Sequence, residues 1–471
     1  MLRPLNFGAG STPGQEPDEG GAIFTNVYVE AAAGTAKSQT VIRCVEGRRL
    51  WSEVSQGGPC RALLVHREAL YAVIGRNVLR FDRDGTATTL GGFSADGHAT
   101  MALNRAGQIA IVAPGDYKLI VDDVLVDVAD PDLPPPVDVA FLDGYFIFTL
   151  QDGRLFSSAI DDGTDINALD FTTAEGSPDR NVRGIVRGRE FVALGERSIE
   201  FYANDGGEGF PLVPIPGAFK SVGCLAAASA VVVDTAPGTP LVFVSHARQV
   251  VGMTGYSPER ISTHDVERDL RAEAQPQDIR ATTYIRDGHP FYVITGSDWT
   301  WVFDFSTGQW HNRRSERRAY WRGSQVVDFG GQLICGDTDN GSLYVLDDAL
   351  HDDAGDNLIW CVRAPAVHMY PNRMRVNSIR VDVLPGRGDN SQSPHNDAPE
   401  LLLRISKDGA HTWSEERRVP IGRQGAFGTE VVERRWGVTR EDGMIVEVSA
   451  SAAVASGIVA NGAVELNKLL P

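Results

Sequence analysis

The chain has 471 residues and carries 44 Lys and Arg against 62 Asp and Glu, a formal net charge of −18. That length exceeds the size at which single cores usually stop growing, so two domains or one large repeat architecture are expected. The acidity excludes a broad nucleic-acid or anionic-membrane surface, since both need a basic footprint. Gly (50) and Pro (25) are abundant without a collagen-like period, which fits many short strands joined by tight turns. Only Lys37, Lys118, Lys220, Lys407 and Lys468 are lysines. Nearly every cation is therefore an Arg, which suits interface ion pairs, although GC-rich coding produces the same bias. Cys44, Cys60, Cys224, Cys335 and Cys361 are far apart and form no CxxC pair, so neither a disulfide framework nor a zinc site is expected.

In chain order, residues 1–22 are Gly- and Pro-rich, lack an apolar leader segment and read as an extended arm of a soluble, unsecreted chain. Alternating strands follow at 23–29 and 40–45. From residue 59 the strings CRALLVH, ALYAVIG, NVLRFDRDG and ATTLGGF make four strands separated by turns, the size of one propeller blade. Looser sets continue through 108–128, 137–158, 173–202 and 229–253. One helix stands out in STHDVERDLRAE, with Thr263 as N-cap, Asp265 and Glu267 in the first turn and Arg268 and Arg271 nearer the end. Two more units, 279–310 and 320–346, bring the count to roughly five to seven blades, typical of a propeller. An irregular multi-sheet sandwich is the alternative.

After Trp360 the character changes. Ile379, Val381 and Val383 share one strand face and Leu401, Leu403 and Ile405 another, with further strands at 430–436, 444–449 and 457–466. The expected fold is thus all-β: a β-propeller over 56–365, a β-sandwich over 366–471, and an N-terminal arm and strands over 1–55 that join the sandwich.

No GxSxG elbow, HExxH, phosphate-cradling GxxxxGK[ST] or GxGxxG-to-helix motif is present. Ser406, Asp408, Thr412 and Trp413, in SKDGAHTW, resemble an Asp box, a hairpin turn in which the Asp holds backbone amides and the Trp packs beneath. Ala410 replaces the usual second Gly. This turn is structural, and a single copy leaves an Asp-box glycosidase or carbohydrate-binding propeller as the alternative function. The DTDNG at 337–341 lacks the spacing of a calcium loop and reads as a turn. No enzyme activity, cofactor or metal is expected. The segment 311–322, HNRRSERRAYWR, is the basic run with aromatics, and Arg313, Arg314, Arg317, Arg318 and Arg322 are its candidate partner contacts; a solvated loop is the plainer reading.

The stretch TAEGSPDRNVRGIVRGREFVALGERSIEFY at 173–202, with its Ala174-Glu175, Pro178-Asp179, Phe191, Gly195 and SIEFY in that order, resembles the packaged-DNA-stabilising tail hub, or nozzle, proteins of short-tailed bacteriophages. Supporting similarities are Asn26-Val27-Tyr28 ahead of Ser38 and Gly47, the helix segment 261–271, and Cys335-Gly336-Asp337 ahead of Gly341. Val45-Glu46-Gly47 departs from the Pro-Gly the family tends to carry there. The resemblance implies a virion protein made in the host cytoplasm. It also implies a homo-hexameric ring beneath a dodecameric portal adaptor, closed by a tail needle or plug and decorated by tailspikes or fibres. Viral DNA would pass transiently through its channel, with no insertion into a membrane. Glu175, Asp179 and Glu200 then read as scaffold rather than catalytic acids.

Overall fold

The computed structural model describes all residues except 16–20, 33, 35–37, 55–56, 175, 178, 208, 236–237, 390–392 and 469–471. Seven four-stranded units ring one axis among the described residues. Blade 1 is Cys60–His66, Ala69–Ile74, Asn77–Phe81 and Ala87–Gly92, each strand antiparallel to the next. Blades 2, 3 and 4 begin at Thr100–Leu103, Asp138–Leu142 and Asn181–Arg187, and blades 5 and 6 at Val231–Val232 and Arg280–Arg286. Hairpins set this geometry. Asp143-Gly144, Asp287-Gly288 and Gly330-Gly331 each place two successive residues at positive φ. That two-residue turn matches the right-handed twist of the strands it joins.

Blade 7 differs in how it is closed. Gly323–Phe329, Gln332–Asp337 and Leu343–Asp347 supply three strands, and the fourth is Gly47–Ser52 from the other end of the chain. The expected boundary at residue 55 is therefore corrected, because Gly47–Ser52 belongs to the propeller and not to the sandwich. The physical reason is edge protection. The outer edge of Leu343–Asp347 would otherwise expose unpaired backbone groups, and pairing it with an early strand closes the ring without a free seam.

The remaining strands form two further layers. One sheet runs in the order Val27–Ala31, Thr40–Cys44, Gly457–Lys468, Met374–Val383 and Val431–Val438, and Leu2–Leu5 also pairs with Gly457–Lys468. The other joins Ile23–Thr25, Trp360–Arg363, Ile445–Ala450, Glu400–Ser406 and Arg417–Pro420. Ile379, Val381, Leu401, Leu403, Ile405, Val446 and Val464 meet in one core between them, with Leu5 and Phe7 inside it. Residues 2–5 are thus a strand rather than part of a free arm, because Leu5 and Phe7 have apolar surface to bury there. Trp360–Arg363 likewise lies in this layer, inside the stretch expected to be propeller.

The two regions share backbone. Thr25 pairs in parallel with Asn312 of blade 6's outer strand, Gln309–Asn312, and antiparallel with Cys361, so blade 6 continues into the sandwich as one nine-stranded sheet. The helix His264–Ala272 packs beside this seam, and the Thr263 side chain accepts from the Val266 N–H as its N-cap.

Candidate functional site

The acids of the 173–202 stretch hold its turn to its last strand. Asp179 accepts from the N–H groups of Arg197 (2.6 Å) and Ser198 (3.0 Å) and from the Ser198 hydroxyl (2.8 Å). Glu200 accepts from the Gly176 N–H and from the Tyr202 hydroxyl, both at 2.8 Å. Each carboxylate is consumed by local donors, so the motif braces blade 4. Glu175 and Pro178 lie outside the described residues.

The arginine segment 311–322 crosses from blade 6 to blade 7 over the seam with the sandwich, and its five arginines divide. Arg313 points inward and is buried; it donates to Glu46 Oε1 and to the Tyr284 hydroxyl, both at 2.6 Å, and its guanidinium lies 4.0 Å over the Trp321 ring. Desolvation works against its charge, but Glu46 and Tyr284 outweigh it and raise its pKa above the ordinary value. Arg322 is turned to Asp337 at 3.0 Å. Arg318 meets Asp339 at 2.9 Å while staying half exposed, and Arg314 and Arg317 are exposed. Burial, followed by the charges of Arg313 and His289, pushes His311 down to about 3. The outward candidates are thus Arg314, Arg317 and Arg318, whereas Arg313 and Arg322 serve the interior.

The seam turns on Asn26, a residue with 1% exposure and φ of 56° between Ile23–Thr25 and Val27–Ala31. Its side-chain amide donates to the carbonyls of Arg314 (2.9 Å) and Ile359 (2.8 Å), and its Oδ1 accepts from the Arg314 N–H (2.9 Å). Asp337 is fully buried, accepts from the N–H groups of Asp339 and Asn340, and faces Arg48 and Arg322. The DTDNG turn is therefore held by two arginines. Among the described residues no group of three or more His, Cys, Asp or Glu side chains is placed to hold a metal.

In the sandwich, Asp408 accepts from the Ser406 hydroxyl (2.8 Å) and from the Thr412 N–H (2.9 Å) and hydroxyl (2.5 Å). The Thr412 hydroxyl, then the Thr412 N–H and Ser406, hold its carboxyl down to about 2. Trp413 does not pack beneath the turn. Its ring is only partly covered and lies 4.8 Å from the guanidinium of Arg363 and 4.7 Å from that of Arg404, both of which Glu447 holds in place. An indole beside two cations is stabilised through its negative π-face, which stands in for an apolar bed.

The axis of the propeller is a cavity of about 420 Å³ touched by all seven inner strands, from Arg61 of blade 1 to Gln325 of blade 7. Arg61 and Asp138 are buried in its wall, and Arg183 Nε lies 3.4 Å from Asp138 Oδ2. A DNA duplex, whose major groove alone is about 12 Å wide, does not fit along this axis. Nothing in a linear pattern marks Asp138 as the acid facing Arg183, or gives Glu46 and Asn26 their partners Arg313 and Arg314, which lie 267 and 288 residues away.

The model of a family described as "Bacteriophage P22 Gp10, beta-propeller" matches residues 23–351. No curated protein matches the chain. Among solved structures, the computationally designed Ika8 protein is similar at 14% identity over 71% of this chain and 99% of its own, with a TM-score of 0.38. BamB from Moraxella catarrhalis is similar at 12% identity, covering 62% of this chain and 95% of its own, with a TM-score of 0.37. The WD40 β-propeller domain of Doa1 gives 11% identity, 63% and 97% coverage and a TM-score of 0.40.

Proposed function

The chain belongs to the phage-stabilising family described by the bacteriophage P22 Gp10 β-propeller, and from that premise we propose that it is one subunit of a hexameric tail nozzle that retains packaged DNA and then conducts it. The observation that carries this reading is the family match across residues 23–351, which takes in the whole propeller and the strand that closes it. Because the axis of each propeller is only a small, side-chain-lined cavity, the DNA path runs between subunits, at the centre of their ring. A net charge of −18 suits such a lumen, since a wall that offers phosphate few cations lets DNA slide without sticking.

The ring docks under the portal adaptor, with tailspikes or fibres outside and a needle or plug at the end. The work is mechanical, with no bond made or broken by the protein. Arg314, Arg317 and Arg318 project from the propeller–sandwich seam and pair with acidic groups of a neighbouring subunit, where guanidinium forks favour carboxylates.

Six-fold averaged electron microscopy of assembled tails tests this reading: six copies around a DNA-wide lumen are expected, and a monomer attached outside the tail axis refutes it. Replacing Arg314, Arg317 and Arg318 together by Ala is expected to reduce tail assembly by at least tenfold while leaving the melting temperature within a few degrees. Undiminished assembly returns the three to solvent.

A further inference from the structure

The axial cavity holds a charge without a counterion. Arg61, the second residue of blade 1's inner strand, has 8% exposure, and its guanidinium donates only to carbonyls: Gly97 at 2.5 Å, Gly75 at 2.9 Å and Ala95 at 3.2 Å. Its Nη2 is buried and has no hydrogen-bond partner among the described residues. No carboxylate lies within ion-pair distance of it among the described residues; Asp96 acts on it only from farther off and is taken by Arg76 at 2.7 Å. A guanidinium out of water without a paired anion is costly, and backbone carbonyls offset only part of that cost.

Two more groups share the same wall. Arg183 donates to the carbonyls of Ala227 (2.8 Å) and Ala230 (2.5 Å) and leans on Asp138. Asp138 is already committed, since it accepts from the N–H groups of Val139 (2.8 Å) and Gly184 (3.2 Å). His98 Nε2 is buried with no hydrogen-bond partner among the described residues. Burial first, and then the charges of Arg183 and Arg61, push His98 down to about 3, so the ring is neutral near pH 7 and able to donate. Two guanidinium groups face one carboxylate, whose pKa burial raises, so this end is net positive. Deeper along the inner strands the lining turns apolar, with Leu64, Leu103 and Phe141.

We propose that this cavity binds a small amphipathic carboxylate, with the head between Arg61, His98 and Arg183 and the apolar tail between Leu64, Leu103 and Phe141. The volume, about 420 Å³, falls in the range of small-ligand sites, roughly 300–1,000 Å³. A positive end beside an apolar lining matches an anion that carries a tail, which phosphate lacks. The acid is either a free short-chain carboxylate or the carboxy terminus of a polypeptide ending in an apolar residue. Both present the same chemistry to the wall.

Isothermal titration at constant ionic strength tests the site on the full chain, using hexanoate, 1-hexanol, inorganic phosphate, and a short peptide ending in Leu as the free acid or the amide. One hexanoate or one free-acid peptide per chain is expected, at least tenfold tighter than hexanol, phosphate or the amide. Tighter hexanoate identifies a free acid as ligand, and a tighter peptide identifies a chain terminus. Arg61→Gln is expected to cost at least tenfold in that affinity. Should this variant not fold, the imidazole resonances of His98 in the unaltered chain decide, because the bound carboxylate must shift them. No binding, equal binding of hexanol or phosphate, or unmoved His98 resonances overturns the proposal.

Discussion

Asn26 does at one position what a longer linker would otherwise do. It turns the chain from one sheet to the other at φ of 56°, a conformation asparagine tolerates better than most residues, and its side chain ties both sides of the turn to Arg314 and Ile359. Asn26→Ala would leave those two carbonyls and the Arg314 N–H unanswered in a buried site. The expected loss is about 3 to 5 kcal/mol, from roughly 1–3 for each stranded group less what relaxation recovers, and urea unfolding measures it. Buried imidazoles give a second prediction. His98 and His311 are pushed down to about 3 from the ordinary imidazole value of 6.5, so below pH 6.5 the unfolded chain binds protons the folded chain refuses. Their stabilising effect is complete above pH 6.5 and is lost as pH falls toward 3. Each contributes a slope of about 1.4 kcal/mol per pH unit inside that window. His66 and His351, lowered chiefly by burial, act in the same direction. Unfolding free energies between pH 7 and 5 should fall on acidification, and a flat profile refutes the burial of these rings.

The blades were legible in the sequence and their closure was not, and the reason lies in the strands themselves. Alternation and turn chemistry are local, so CRALLVH through ATTLGGF reads as four strands, and Thr263 reads as a cap from its neighbours alone. The Gly47–Ser52 strand is just as strand-like in sequence. What decides its place is a partner nearly 300 residues away, Leu343–Asp347, together with the buried pairing of Arg48 with Asp353 and Asp337. Contacts of the same kind hold Val45-Glu46-Gly47, since Glu46 is the counterion of Arg313 and Gly47 has no room for a side chain. A Cβ there would sit 2.5 Å from the Asp352 carbonyl oxygen and 2.6 Å from that of Leu350. Both obstacles are backbone. Gly47→Ala is therefore expected to destabilise the ring by about 1 to 3 kcal/mol, as overpacking does. Leu50→Ser, at a half-exposed position of the same strand, should stay within about 0.5 kcal/mol. Equal effects in a denaturant titration would show that Gly47–Ser52 is not locked into blade 7.

At the scale of the whole molecule, the propeller and the sandwich are joined by more than a linker. The chain passes from sandwich to ring at Glu46-Gly47, blade 6 continues into the sandwich through Asn312, Thr25 and Cys361, and Arg313 of the ring is neutralised by Glu46 beside the seam. Domains that share a sheet cannot part without breaking backbone hydrogen bonds, and freeing Arg313 from Glu46 would strand a buried charge, which costs about 3 to 5 kcal/mol. That coupling stiffens the molecule, because a load applied to the sandwich would pass into the ring through the sheet instead of bending a hinge. The expected outcome is a single calorimetric unfolding transition whose calorimetric and van't Hoff enthalpies agree, although the chain is long enough for two independent cores. Glu46→Gln keeps the shape and removes the counterion. It should lower the midpoint of that one transition, and a split into two well-separated peaks for the unaltered chain would show instead that ring and sandwich unfold independently and that the shared sheet carries no load.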